Sequence, residues 1–131
     1  MAVIIADIDH FKKINDSLGH LAGDRVLRQI AQRLQTAVRP YDVVGRYGGE
    51  EFLIVLPHCD ADFSLALADR LRCCVALEPA NVAGEVVPVT ISLGTAAWDG
   101  NASAQELLQI ADNALYQAKA EGRNRAVAAR G

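Results

Sequence analysis

The chain has 131 residues, of which 51% are hydrophobic and 22% are charged, and its formal net charge is −3. This length and composition predict a single globular domain over residues 1–131. The acidic balance argues against a general nucleic-acid-binding protein, which needs a basic surface to meet phosphates. A nucleotide substrate is compatible with it, because a bound divalent cation can supply the positive charge.

Nothing in the sequence predicts contact with a membrane. No segment approaches the ~18 apolar residues of a membrane span, and no signal peptide opens the chain. The cysteines, Cys59, Cys73 and Cys74, are odd in number and lack zinc-type spacing, so we interpret them as small apolar residues in a reducing cytoplasm. Because the chain opens directly in an apolar run, we expect it to be part of a longer protein.

The first predicted element is a strand over residues 2–8, an apolar run that ends in acidic residues beginning at Asp7. Such a run predicts a strand buried on both faces, with carboxylates at its C-terminal edge. A short helix is predicted over 11–18. A longer helix is predicted over 23–39, where apolar residues recur at helical spacing, and Pro40 marks its end.

Two short strands, 43–47 and 51–56, follow and are joined through Gly48 and Gly49. Paired glycines supply the positive φ angles of a primed turn, so this region is predicted to be a β-hairpin with such a turn. The next helix is predicted over 62–77 from its apolar spacing.

The segment 81–87 is interpreted as a loop or a ragged strand. Proline cannot donate to a sheet ladder, so the next strand is predicted to begin just after Pro88. Apolar and hydroxyl side chains alternate over 89–93, which is the pattern of a half-exposed strand.

Ser103 and Glu106 have the spacing of a capping box and open the last predicted helix, which Gly122 ends. A final short strand is predicted over 125–128. The resulting order, β-αα-ββ-α-β-α-β, predicts an α/β (α+β) sandwich, in which helices pack over a layered sheet.

Three acidic residues are predicted to lie close together. If the first strand and the hairpin are neighbours, Asp7 reaches the turn that carries Glu50 and Glu51. Carboxylates gathered at strand ends repel one another unless a divalent cation lies between them, and Mg²⁺ prefers such oxygen ligands. We therefore favour a metal site over the alternative that these acids are merely solvated strand ends.

Basic residues near the chain ends could contact phosphates. Lys119 and Arg123 stand four apart at the close of the last helix and share a face. They could equally complement the helix C-terminus, an effect worth about 0.3–1 kcal/mol. Lys12 and Lys13 are ambiguous in the same way.

Taken together, these residues resemble the GGDEF family of diguanylate cyclases, in the variant whose signature is GGEEF. The resemblance covers nearly the whole chain in order. Its motifs are DIDHFKKIND at 7–16, GHLAGD at 19–24, GGEEF at 48–52, VTISLG at 89–94, and ADNALYQAK at 111–119 followed by GRN at 122–124.

The resemblance implies that two GTP molecules are condensed into cyclic di-GMP with release of pyrophosphate. It also implies a mainly antiparallel central sheet like that of the polymerase palm and nucleotide cyclases. By position, Asp7, the Ile8 carbonyl, Glu50 and Glu51 would hold two Mg²⁺ (or Mn²⁺) ions per active site. Glu50 would also be the catalytic proton acceptor, with Glu51 beside it.

The resemblance also implies which residues bind the guanine base of the substrate. Asn15 and Asp24, with His20 in the same segment, match the residues that bind guanine, and an aspartate accepts from guanine donors that adenine lacks. Alternatively, Asn15 is a local cap and Asp24 an acid of the first helical turn.

Other matched positions would contact the phosphates. Gly48 and Gly49 would let phosphates approach the backbone, because they lack a β-carbon. Lys12, Lys119 and Arg123 would contact phosphates, with Lys12 stabilising charge in the transition state.

A second site is implied by Arg39-Pro40-Tyr41-Asp42, an RxxD motif separated by five residues from Gly48. In the family this spacing marks a site of product inhibition by cyclic di-GMP, to which Arg70 would contribute. On its own the motif is also compatible with a solvated helix end.

Catalysis in this family needs a homodimer with its two domains facing antiparallel. We expect the full-length protein to carry an N-terminal sensory or receiver module, and the family's usual segment upstream of the first strand is not in this sequence. A second hypothesis is a poorly catalytic module that binds GTP or cyclic di-GMP and signals through partners. A polymerase-like nucleotidyltransferase is disfavoured by the acidic net charge, so no nucleic-acid partner is expected.

Overall fold

A computed structural model of the protein describes residues 1–129. Its strands are β1 (Ala2–Ile8), β2 (Val43–Arg46), β3 (Glu51–Leu56), β4 (Ala80–Val82), β5 (Glu85–Val87), β6 (Ile91–Ala97) and β7 (Ala126–Ala128). Its helices are α1 (Phe11–Leu18), α2 (His20–Ala37), α3 (Ala61–Leu77) and α4 (Ala104–Ala120). The predicted order of elements is confirmed, with β4 and β5 added between α3 and β6.

Five strands form one sheet in the order β2-β3-β1-β6-β7. Its pairs are antiparallel except for β6 and β7, which run parallel. This mainly antiparallel sheet with helices on both faces confirms the predicted fold class. β4 and β5 form a separate two-stranded hairpin where the sequence predicted a loop or ragged strand.

The sheet separates two apolar cores. The larger core lies beneath the first three helices and includes Ile4 and Ile8 of β1, Ile30 of α2 and Leu71 of α3. The smaller core lies on the other face and joins alternate β1 residues such as Ile5 to α4. Because helices cover both faces, all seven residues of β1 are buried, as its unbroken apolar run predicts.

The prediction that β6 is half-exposed is wrong. The strand starts at Ile91 rather than just after Pro88, and its first six residues are buried, including Ser92. The reason is the close packing of α4 on its second face. A β-carbon added to Gly94 would lie only 2.2 Å from the backbone nitrogen of Leu115, so the helix and strand backbones touch where this glycine stands.

The prediction of a primed turn at Gly48 and Gly49 is also wrong. Neither glycine adopts a positive φ angle. The strands are instead joined by the four residues 47–50, and the backbone N–H of Tyr47 donates to the carbonyl of Glu51 at 2.9 Å. A four-residue connection reverses the chain gradually, so it does not need the left-handed conformations of a two-residue turn.

The helix boundaries differ from the prediction mainly in the second helix. It runs over His20–Ala37 instead of 23–39, because Gly19, with φ of 91°, separates it from α1 directly. The capping box at the start of the last helix is confirmed, with Glu106 N donating to Ser103 Oγ at 3.1 Å. Among residues 1–129, no helix combines the length and apolar character needed to cross a bilayer.

Candidate active site

The end of β1 lies beside the turn between β2 and β3. Asp7 is paired in register with Glu51, and the backbone N–H of Ile8 donates to the carbonyl of Glu50 at 3.3 Å. The sequence predicts this neighbourhood only on the condition that the first strand and the hairpin are adjacent. The β1–β3 pairing meets that condition, so the acidic residues lie at one edge of the sheet.

A small cleft opens at this edge, with a volume of about 160 Å³. It collects six of the predicted site residues, which are Asp7, Ile8, Lys12, Glu50, Lys119 and Arg123. They come from β1, the hairpin turn, the start of α1, and the end of α4 with the residues that follow it. Residues separated by more than a hundred positions along the chain therefore line one concave surface.

The electrostatics of the cleft are those of crowded carboxylates. Burial raises the pKa of Glu50 above its ordinary value, and both repulsion from Asp7 and a hydrogen bond with Asp7 raise this pKa further. Lys119 opposes the shift and donates from Nζ to Asp7 Oδ2 at 2.7 Å. Two carboxyl groups close enough to share a proton form a site that favours a bound cation.

Glu51 faces a different part of the surface. It lines a neighbouring groove with Tyr47 of the turn and Asp112 of α4, and it does not line the small cleft. Burial raises the pKa of Glu51 first, followed by repulsion from Asp7 and Asp112. The structure thus brings Asp7 and Glu50 into one cleft and leaves Glu51 on its flank.

The carboxylates of the cleft are suitable ligands for a hard divalent cation, but they would supply only part of its coordination shell. Asp7 and Glu50 offer carboxylate oxygens, which Mg²⁺ and Mn²⁺ prefer. Within residues 1–129, no group of three or more histidine, cysteine, aspartate or glutamate side chains is arranged to hold a metal ion. A cation here would complete its shell with backbone, water or substrate oxygens, as Mg²⁺ commonly does.

The segment predicted to bind guanine lies at the α1–α2 junction. Asn15 of α1 packs against Gly23 of α2, and its Oδ1 is buried without a hydrogen-bond partner among the described residues. Asp24 and His20 are exposed at the start of α2. A buried acceptor without a donor is costly, so Asn15 Oδ1 is a candidate for a bond to a ligand.

The RxxD residues form a compact ion pair. Arg39 Nη2 donates to Asp42 Oδ1 at 2.9 Å and to the carbonyl of Pro57 at 2.9 Å. This hydrogen bonding to Asp42 raises the pKa of Arg39. The guanidinium of Arg39 also lies between the rings of Tyr41 and Phe63, 4.7 and 4.9 Å from their centroids.

Arg70 lies near this ion pair and donates to the carbonyl of Ala37 at the end of α2. Sequence reasoning missed the contact between Arg39 and Phe63, because Phe63 belongs to α3 and is distant from the motif along the chain.

Asp9 is a further residue of the cleft that the sequence did not single out. It is 5% exposed and accepts hydrogen bonds from Thr90, Ser92 and the backbone of Asn124. Its position two residues after Asp7 could have marked it as a residue near the site. Its hydrogen-bond partners Thr90 and Ser92 could not be predicted, because they lie more than eighty positions away in the sequence.

Several larger grooves lie elsewhere among the described residues, and Asp7 and Glu50 line none of these. One of about 640 Å³ runs between α2 and α3, and one of about 430 Å³ lies between α1 and β5. Size therefore does not mark the candidate site, which is distinguished by its grouped charges.

Comparison with known proteins gives a consistent result. The family described as "Diguanylate cyclase, GGDEF domain" matches residues 1–125. The chain is 43% identical over 125 residues to diguanylate cyclase DgcP of Pseudomonas aeruginosa, covering 95% of this chain and 19% of that protein. It is 46% identical over 130 residues to response regulator PleD of Caulobacter vibrioides, covering 97% of this chain and 29% of that protein. The chain thus spans less than a third of the length of these relatives.

Solved structures show the same similarity. The GGDEF domain of DgcB from Caulobacter crescentus, in complex with c-di-GMP, superposes with a TM-score of 0.93 at 34% identity, covering 99% of this chain and 78% of that one. The active GGEEF domain of a diguanylate cyclase from Vibrio cholerae superposes with a TM-score of 0.90 at 35% identity, covering 99% and 83%.

Proposed function

This chain belongs to the GGDEF family of diguanylate cyclases, and from that membership we propose that it condenses two GTP molecules into cyclic di-GMP and releases pyrophosphate. The observation that carries the proposal is the cleft in which Asp7 and Glu50 meet three basic residues, Lys12, Lys119 and Arg123. Acidic groups suited to a cation beside basic groups suited to phosphates are what a nucleotidyl transfer requires.

The size of the cleft indicates that different regions of the protein bind the phosphates and the guanine base of GTP. A volume of about 160 Å³ is enough for part of a triphosphate but is too small for a whole nucleotide. The guanine base would bind at Asn15 and Asp24, with His20 nearby. α1 connects the two regions, because Lys12 lines the cleft and Asn15 follows it by one helical turn.

Asp7, Glu50 and the carbonyl of Ile8 would hold the divalent cations, two Mg²⁺ or Mn²⁺ per active site, with Glu51 on the flank. When bound, these ions neutralise charge on the phosphates and activate the attacking oxygen. Lys119 is already bonded to Asp7, so it is close enough to move from this carboxylate to a phosphate oxygen.

The remaining chemistry falls to residues of the chain. In each of two steps, a 3′-oxygen attacks an α-phosphorus, the bond to pyrophosphate breaks, and the hydroxyl proton passes to Glu50. Glu50 is the proposed acceptor because its carboxylate lies in the same cleft as the groups that would hold the reacting phosphates. Lys12 and Arg123 would stabilise the developing phosphate charge.

The turn glycines fit a role in substrate binding. A β-carbon on Gly49 would meet no atom of the protein within 4 Å, and one on Gly48 would make only ordinary contacts. Since neither has a positive φ angle, the fold itself does not require glycine at these positions. Close approach of phosphates to the backbone would require it.

One domain offers one cleft, whereas the reaction joins two GTP molecules. We therefore propose that two copies face each other as an antiparallel homodimer, each presenting one GTP. N-terminal sensory or receiver modules of the full-length protein would control this pairing. The supply of GTP would place the reaction in the cytoplasm, and we propose neither a nucleic-acid partner nor membrane contact for the domain.

Product inhibition is proposed at the RxxD pair. Arg39 and Asp42, with Arg70 nearby, would bind cyclic di-GMP through guanine edges and phosphate oxygens. Arginine suits both, because its planar fork donates to two acceptors at once. The exposed aromatic rings of Tyr41 and Phe63 lie against the Arg39 guanidinium and would add apolar surface to this site.

The experiment is to fuse the domain to a dimerising partner, incubate it with GTP and Mg²⁺, and separate the products chromatographically. Wild type should form cyclic di-GMP. Glu50→Gln should lower the rate by at least about 10²–10⁴-fold, because it removes a general base and an ionised ligand. Glu85→Gln, in the separate hairpin, is the control and should leave the rate unchanged. Full turnover by Glu50→Gln would refute the assignment of the cleft.

A further inference from the structure

Asp9 lies at the end of β1, two residues beyond Asp7, and it is 5% exposed. Its Oδ1 accepts from Ser92 Oγ at 2.7 Å. Its Oδ2 accepts from Thr90 Oγ1 at 2.7 Å and from the backbone N–H of Asn124 at 3.0 Å. The carboxylate is thus fully engaged by the protein, which distinguishes it from Asp7 and Glu50.

The bond to Asn124 holds a turn in an unusual conformation. Gly122, Arg123 and Asn124 have consecutive positive φ angles of 125°, 65° and 48°. Arginine rarely adopts this left-handed region, because its β-carbon crowds the following carbonyl. A non-glycine residue keeps such a conformation only where its surroundings fix it.

Other bonds hold the turn to residues outside β1. Arg72 Nη1 of α3 donates to Asn124 Oδ1 at 3.4 Å, and the N–H of Gly122 donates to the carbonyl of Lys119 at 3.4 Å. The N–H of Arg123 donates to the carbonyl of Ala118 at 3.0 Å, and Arg125 Nε donates to the carbonyl of Arg123 at 3.1 Å. The N–H of Leu93 donates to the carbonyl of Arg125 at 3.0 Å. None of these bonds reaches β1 or the residues directly after it. Among the described residues, Asp9, which follows β1, therefore supplies the hydrogen bond that links the backbone of the turn to this part of the chain.

The turn places Arg123 in the cleft with Asp7 and Glu50. Because Asn124 follows Arg123 directly, the position of its amide limits where the Arg123 side chain can start. We propose that Asp9 is a positioning residue, which acts by holding the Asn124 amide so that Arg123 points at the substrate phosphates. The inference rests on the proposed function, since it concerns how that site binds GTP.

The test compares Asp9→Ala with Asp9→Asn in binding the α,β-methylene analogue of GTP, whose bridging carbon blocks pyrophosphate release. Asp9→Ala should weaken binding about 10–100-fold, a typical cost of losing a residue that orients a ligand-binding group. Asp9→Asn should bind within about threefold of wild type. Its carbonyl can still accept from Asn124 and Thr90, while its Nδ2 donates to Ser92 Oγ, which can accept.

Ser92→Ala is the matched control, because it removes a bond to the same carboxylate but from the oxygen that does not hold Asn124. It should bind the analogue like wild type. Amide hydrogen exchange gives a readout independent of the nucleotide. The Asn124 amide should exchange faster in Asp9→Ala and at the wild-type rate in Asp9→Asn.

A double-mutant cycle tests whether Asp9 affects nucleotide binding through Arg123. If Asp9 acts through Arg123, then Asp9→Ala should cost little further affinity once Arg123→Ala is present. Should Asp9→Ala fail to fold, Asp9→Glu replaces it, because it keeps the charge but moves the carboxylate outward. Asp9→Glu should then weaken binding as Asp9→Ala would.

Several outcomes would overturn the inference. Equal losses of affinity in Asp9→Asn and Asp9→Ala would indicate that Asp9 acts by its charge. Wild-type affinity in Asp9→Ala or Asp9→Glu would show that Asp9 does not contribute to binding of the nucleotide. Both results presuppose that wild type binds the analogue. A wild-type protein that does not bind it would instead overturn the proposed function itself, together with this inference.

Discussion

Asn15 illustrates how a single side chain can be held ready for a ligand. Its Oδ1 is buried without a partner among the described residues, although buried acceptors normally have one. Gly23 makes room for this atom, since a β-carbon at that position would lie 1.8 Å from Asn15 Oδ1. The glycine therefore matters through the space that it leaves for Asn15.

Gly23→Ala should displace Asn15 and raise the dissociation constant for GTP about tenfold, as expected for loss of one hydrogen bond worth about 1.4 kcal/mol. Its preference for GTP over ATP should fall as well. Thermal stability should change little, because alanine is favoured over glycine in a helix by about 1 kcal/mol. Gly45→Ala is the control, since its β-carbon would meet no atom within 4 Å. Unchanged GTP affinity in Gly23→Ala would argue against guanine binding at Asn15.

Glu50 makes the stability of the protein depend on pH. Its pKa in the folded state is raised above the ordinary 4.5, mainly by burial and then by Asp7. Between pH 4.5 and the raised pKa of Glu50, the folded state binds more protons than the unfolded state. The free energy of unfolding therefore falls as the pH rises through this window.

We expect the melting temperature of metal-free wild type to fall across this window relative to Glu50→Gln, which cannot titrate. Mg²⁺ should reverse the trend, because it binds the ionised carboxylate and its stabilisation should grow as the proton leaves. Scanning calorimetry of both variants between pH 4.5 and 7, with and without Mg²⁺, measures the effect. Parallel curves for the two variants would show that Glu50 does not titrate in this way.

At the scale of elements, the packing of α4 on β6 positions the residues that these two elements contribute to the cleft. α4 is followed by the turn that carries Arg123. Thr90, which directly precedes β6, and Ser92 within β6 both donate to Asp9. Gly94 permits their backbones to touch. This packing explains both the burial of the first six residues of β6 and the placement of Lys119 beside Asp7.

Gly94→Ala should destabilise the fold by about 3 kcal/mol, at the upper end of the usual cost of overpacking, because the β-carbon would meet backbone atoms that cannot rotate away. Those atoms are Leu115 N at 2.2 Å and Ala111 O at 2.3 Å. Urea unfolding monitored by circular dichroism gives the difference, with Gly45→Ala as the reference. A loss below about 1 kcal/mol would mean that α4 can shift without cost.

For the molecule as a whole, the RxxD pair and the acidic cleft are built from different elements. Arg39 and Asp42 follow α2, and their neighbour Phe63 belongs to α3. The cleft draws on the end of β1, the β2–β3 turn, the start of α1 and the end of α4. Binding at one surface should therefore be separable by mutation from turnover at the other.

Arg39→Ala should raise the inhibition constant for cyclic di-GMP by about 10–100-fold, the range expected for charge-assisted hydrogen bonds of about 1.5–3 kcal/mol. The initial rate at low product should not change. Because Asp42 is buried, the alanine variant also loses stability, so Arg39→Lys is the better comparison. It keeps a cation beside Asp42 but loses the planar fork, and it should relieve inhibition as well. Wild-type inhibition in both variants would exclude this site.

The sequence by itself determined what depends on local order and side-chain chemistry. An unbroken apolar run fixed β1 as a doubly buried strand, and the Ser103–Glu106 spacing fixed the start of α4. Most of the cleft residues were named through the resemblance to the GGDEF motifs, whereas side-chain chemistry alone left the roles of Lys12, Lys119 and Arg123 undecided.

Only the tertiary structure decided which of these groups meet. Asp9 and the Asn124 amide are 115 positions apart, and no local pattern encodes their bond. The burial of β6 depends on α4, which packs on it from later in the chain. That Glu50 and Glu51 line different grooves is likewise visible only in the folded chain. Burial and hydrogen bonding between distant segments are properties of the assembled chain, because each needs both partners in place.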